Sequence, residues 1–190
     1  ALGHGISDMD LKELIDVDEG FLNLANIISV KKGLKNEPGE IRGMLNERVE
    51  IGKITLNNEC GIYGEYDKEC DLLNNRKEVF VASKNEIETG PATIYCSIDG
   101  DGMPKEYNIN VVKKSDLIGI KSKGMIIEVT DEELLQKTGG IIQGMSGSPI
   151  LQNGKFIGAV THVYVNDPTR GYAIFAESML EQLNELNNKV

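Results

Sequence analysis

A chain of 190 residues, 40% hydrophobic and 26% charged, is long enough for one large domain or two small ones around a real core. Its 20 Lys and Arg against 30 Asp and Glu give a net charge of −10, and 5% aromatics with no Trp supply no base-stacking platform. Nucleic-acid binding is therefore disfavoured, and the longest apolar runs (124–129 and 155–160) fall well short of the roughly 20 residues that a bilayer span needs.

In chain order, residues 10–15 are short and mixed, compatible with one helical turn or a loop. Strands are expected at 26–31, 48–56 and 78–82, each rich in Ile, Val or Leu. The clearest hairpin runs from Thr93–Ile98 through the turn Asp99-Gly-Asp-Gly to Tyr107–Val112, with alternation on both arms. Further strands are expected at 117–120, 125–129, 149–151, 156–161 and 172–175, with Asn153-Gly154 as a turn between two of them. Thr130-Asp-Glu-Glu133 has capping-box spacing and predicts a short helix to Lys137. Met179, Leu180, Leu183 and Leu186 predict an amphipathic helix over 177–186. Many short strands without strand–helix alternation indicate a mostly-β barrel or sandwich.

The chain opens at Ala1 without an initiator Met or a signal peptide, so it reads as a fragment. The cysteines Cys60, Cys70 and Cys96 make no disulfide framework and lack metal-ligand spacing, so free thiols are expected. Asp16-Val-Asp-Glu-Gly and Asp99-Gly-Asp-Gly glance at calcium loops but lack the glycine at position six and the closing Glu. No nucleotide or metal motif is present, and no cofactor is expected.

Chemistry concentrates in Gly139-Gly-Ile-Ile-Gln-Gly-Met-Ser146-Gly-Ser-Pro. Glycines two before and one after a serine permit a tight turn and a close substrate approach, as an acyl-transfer nucleophile requires. The N–H groups of Gly144 and Ser146 can then form an oxyanion hole. The plain alternative is a Gly/Ser loop at a barrel corner, and Ser148 is a rival nucleophile. Strand, Asn-Gly turn and strand over 150–161 resemble the second barrel of chymotrypsin-like serine peptidases, and by that resemblance Thr161, His162 and Val163 line the substrate groove. A nucleophilic serine needs a base, and the two histidines, His4 and His162, are the candidates. Spacing alone leaves both open to structural readings.

The segments Ala1-Leu-Gly-His-Gly-Ile-Ser-Asp, Gly61-Ile-Tyr-Gly, 138–150 and 158–169 closely resemble the SpoIVB peptidases of endospore-forming bacteria, nearly from end to end. The resemblance implies one serine peptidase domain over 1–190, a chymotrypsin-like double β-barrel with a C-terminal helix and a barrel boundary at roughly 85–115. It implies an upstream membrane anchor, a PDZ domain and an upstream hairpin of the first barrel beyond this stretch, so the first barrel would be incomplete and turnover lower than in a longer chain. It places the catalytic residues at His4, Asp131 and Ser146. Asp131 beside Thr130 also suits a helix start, and Asp8 and Asp10, close to His4 in sequence, are rival acids. It further implies residence between the membranes around the forespore. There the peptidase cleaves itself and a partner restraining an intramembrane metalloprotease, so that a late sigma factor is activated. The competing class is a peptidase-like module that binds a peptide or partner without turning it over.

Overall fold

The computed structural model describes residues 1–8, 10–11, 13–67, 78–100, 103–114 and 120–187, with side chains through Asn184. Strands β1 (Gly20–Lys31), β2 (Glu40–Asn58) and β3 (Gly61–Tyr66) form an antiparallel three-stranded sheet in that order. Strands β4 (Gly90–Cys96), β5 (Lys105–Lys114), β6 (Met125–Val129), β7 (Pro149–Gln152), β8 (Lys155–Val163) and β9 (Arg170–Phe175) close a barrel in the order β4-β5-β6-β9-β8-β7. Helix α1 (Glu132–Thr138) lies between β6 and β7, and α2 (Ala176–Asn187) follows β9. The fold is mostly β, with an open sheet where the first barrel is expected and the change from sheet to barrel between Tyr66 and Gly90.

Period-two patterning builds the barrel. Met125, Ile127 and Val129 of β6 point inward and are buried, while Ile126 and Glu128 are only partly covered. Val129 faces Ile109 and Ile127 faces Val111 across β5, and Met125 faces Ala173 across β9. Ile94 opposite Ile150 closes the ring. Each fully buried Ile contributes about 1.5–3 kcal/mol of hydrophobic stabilisation, and closure gives every barrel strand a neighbour on each side over part of its length. Residues of opposite parity on β8 and β9, Ala159 and Ile174, point outward and pack with Cys60 and Tyr63, with Met179 of α2 against them. This second cluster joins the sheet to the barrel.

Two expectations shift, one strand was not expected, and one expectation is untested. The expected strand 78–82 is reduced to one bridge, Val81 to Phe156, with Phe80 84% exposed. In a closed barrel β8 already has β7 and β9 as neighbours, and the bridge forms only at the irregularity in the β7–β8 register. β3 is a strand the sequence pattern does not announce, because Gly61 and Gly64 dilute it. A Cβ at Gly64 would lie only 1.9 Å from the Lys53 carbonyl oxygen, so the glycine permits the pairing. The helix cap is Asp131 rather than Thr130. The expected strand at 117–120 falls on 115–119, outside the described residues, apart from Ile120. Cys60 and Cys96 are buried free thiols, and Cys70 lies outside the described residues.

Candidate active site

The serine loop is pinned from both ends. Gly139 ends α1 in the left-handed conformation (φ 76°), and its N–H donates to Leu135 O at 2.9 Å. Gly140 has φ 133°, and a Cβ there would lie 2.0 Å from Pro168 O. Buried Ile141, Ile142 and Met145 anchor the loop in the core. Gln143 is held in a parallel bridge to the start of β2, donating to Gly39 O (2.9 Å) and accepting from Ile41 N (2.8 Å). Within 143–148 the N–H groups of Gln143, Met145, Gly147 and Ser148 all donate backbone hydrogen bonds. Those of Gly144 and Ser146 donate none among the described residues. The two uncommitted donors are the pair expected for an oxyanion hole, and Gly144 at φ 96° has the backbone freedom to aim its N–H.

The N-terminal segment lies over this loop. Leu2 packs on Gly147, where a Cβ would approach the Leu2 Cα to 3.1 Å, and Gly3 nestles against Thr161 and Ile174. The chain thereby carries His4 into a cavity of about 370 Å³ shared with Gly144, Ser146, Thr161, His162 and Val163. His4 Nδ1 is 2.9 Å from Gly5 O. A carbonyl oxygen only accepts, so Nδ1 carries the proton and Nε2 keeps the lone pair a general base needs. The Ser146 hydroxyl donates to Thr161 O at 2.8 Å, so it must leave that carbonyl to reach His4. β7 pairs with β8 only as far as Ala159, which leaves the 161–163 edge beside the cavity for an extended peptide.

Residues 1–180 match the SpoIVB peptidase S55 family. The chain belongs to this family. No curated protein matches it. Among solved structures it is similar to the Rv3671c protease in an inactive form, with 16% identity over 78% of this chain and 72% of that one and a TM-score of 0.48. A serine-to-alanine mutant of Rv3671c from M. tuberculosis H37Rv gives 16% identity, 84% and 87% coverage and a TM-score of 0.45. An HtrA-type protease, AlgW, with a serine-to-alanine substitution and a tripeptide gives 14%, 90% and 62%, and 0.45.

Of the residues that likeness to SpoIVB peptidases singles out, the fold brings His4 and Ser146 to one cavity and leaves Asp131 away from it. Asp131 Oδ1 accepts from Leu134 N (3.1 Å) and Oδ2 from Asn108 N (3.2 Å), which makes it the N-cap of α1 tied to β5. With Asp99 it also helps burial push the Cys96 thiol up to about 12, which places its charge beside β4. Asp131→Ala is expected to cost about 1 kcal/mol through the lost cap, measurable in chemical denaturation. The rival acid Asp8 accepts from the N–H groups of Asp10 and Leu11 (both 2.8 Å), which hold its carboxyl below its ordinary range. Asp8, Asp10 and Ser148 do not line the cavities that hold His4.

The His162 ring packs against the His4 ring, tilted by 38° with ring centroids 4.9 Å apart. Burial of its ring, then the neighbouring His4 and Lys123, push its pKa from 6.5 down to about 4. The unfolded chain takes up that proton near 6.5 and the folded chain resists it. This contribution to stability is complete above about pH 6.5 and is lost as pH falls towards 4. The melting temperature is expected to drop through that window, and His162→Gln is expected to flatten the drop; equal slopes in both proteins would contradict this. Sequence reading missed Glu59, Lys121 and Ser122, which line a second cavity with both histidines. Only the folded chain brings these distant segments together.

Proposed function

We propose that this domain is a serine endopeptidase of narrow specificity in a sporulation signalling cascade, acting outside the cytoplasm between the membranes around the forespore. Its substrates on this reading are the protein itself and a membrane-associated regulator, whose cleavage leads to activation of a late sigma factor. The observation that carries the peptidase reading is the meeting of His4, its Nε2 unoccupied, with Ser146 and the uncommitted Gly144 and Ser146 N–H groups around one cavity. In the proposed reaction His4 takes the Ser146 proton as Oγ attacks a peptide carbonyl. The oxyanion is met by the two N–H groups, and the proton passes to the leaving amine. Water then repeats the sequence on the acyl-enzyme. Thr161, His162 and Val163 would pair with the extended substrate.

Mass spectrometry of the full-length protein tests self-cleavage. Discrete products absent from the Ser146→Ala protein are expected, and products that persist in that variant would refute the proposal. The Ser146–Thr161 hydrogen bond favours the second reading, a module that binds a peptide without turnover. On that reading a peptide spanning the self-cleavage site would bind wild type and remain intact.

A further inference from the structure

We propose that the cavity beside Ser146 receives the side chain of the residue whose carbonyl is attacked, and that it selects an aliphatic side chain and rejects a charged one. The inference rests on the His4–Ser146 reading and deepens it by naming the class of cleavage site. The slot lies between the serine loop and the end of β8. Near Ser146 it is closed where Gly147 N donates to Val160 O at 2.8 Å and Val160 N to Ser148 O at 3.0 Å. At the other end Ile141 N donates to Pro168 O at 2.7 Å, which ties the start of the loop to the turn after β8. Backbone hydrogen bonds thus fix both walls, and the cavity of about 370 Å³ between them is formed before any substrate arrives.

The same geometry sets which part of a substrate enters it. A carbonyl oxygen held by Gly144 N and Ser146 N puts its carbon at Ser146 Oγ, and pairing along 161–163 runs the acyl side of the peptide beside β8. The side chain of that acyl residue meets Ile141, Ile142, Val160, Val163 and Val165. Ile141, Ile142 and Val160 are at most 2% exposed, so they belong to the packed core and cannot swing aside. Among the described residues lining this cavity there is no Asp, Glu, Lys or Arg. Its buried polar groups are committed: Thr161 Oγ1 donates to Ser122 O at 2.7 Å, and Thr161 O accepts from the Ser146 hydroxyl. Gln143 is exposed and carries no charge. Burial, with His4 and Lys123 nearby, keeps the His162 ring uncharged at neutral pH. Glu59 and Lys121 line the other cavity and not this one. A charged side chain would lose its water here without gaining a partner, whereas an aliphatic one leaves water for apolar walls.

Peptides that differ only in a last residue of Val, Leu, Lys or Glu present their terminal carboxylate to the Gly144 and Ser146 N–H groups as a cleavage product would. Calorimetry on Ser146→Ala, which cannot cleave them, is expected to show the Val and Leu peptides binding about tenfold or more tighter than the Lys and Glu peptides. Adding Val163→Asp should cut the preference for Val over Lys by about fivefold or more. Val165→Asp, at a position 50% exposed where folding is not at risk, should cut it by about twofold or more. The preference is a ratio read within one protein, so a loss of folded material does not move it. Equal binding of the peptides, binding of none, or a ratio unchanged in both variants would overturn the inference. Failure of the peptidase reading shows separately, as wild type that no fluorophosphonate labels.

Discussion

Ser146→Ala and His4→Ala are each expected to lower proteolytic turnover by about 10³-fold or more, and the double variant to lose little beyond either single one. The non-additivity is the informative part. A serine hydroxyl is a poor nucleophile until a base takes its proton, and the base has nothing to do without the hydroxyl, so the two act as a unit. Residual rate would come from the Gly144 and Ser146 N–H groups, which both substitutions spare. Far-ultraviolet circular dichroism and melting should match wild type, since neither side chain belongs to the buried core. Losses that multiply in the double variant would mean that His4 and Ser146 serve separate tasks, and the acyl-transfer account would fall.

Gly158→Ala is expected to produce the largest loss of stability, about 3 kcal/mol or more, with a corresponding fall in the denaturant midpoint. Gly158 pairs with Phe175 on one side and Ile150 on the other. A Cβ there would sit 1.9 Å from Ile174 O and 2.7 Å from Met125 Cε. The methionine end can swing away, but a backbone carbonyl inside a closed barrel cannot, so β8 and β9 must separate locally. Activity should fall with stability, because β8 supplies Thr161, which holds the Ser146 hydroxyl. A midpoint within about 0.5 kcal/mol of wild type would show that the β8–β9 spacing yields more easily than the packing implies.

The barrel was legible wherever local chemistry and tertiary structure agree. Alternation marked β4, β5 and β6 within a few residues, and Asn153-Gly154 formed its turn with φ 52° and 75°. The serine loop was legible because its glycines meet backbone requirements stated in the sequence itself. The α1 cap was missed by one residue because Thr130 N and Asp131 N both donate to Asn108 O, which extends the strand pairing past Thr130. His4 could be assigned only by family likeness, since nothing in Leu-Gly-His-Gly says that a terminal segment will lie across β8. The cavity that Glu59, Lys121 and Ser122 share with the histidines was invisible for the same physical reason: it forms only where segments more than fifty residues apart meet.

The most direct test of the central claim is to label the protein with a fluorophosphonate and map the adduct by peptide mass spectrometry. The account predicts one adduct, on Ser146, absent from Ser146→Ala and strongly slowed in His4→Ala. An adduct on Ser148, or no adduct on the wild-type protein, would contradict it.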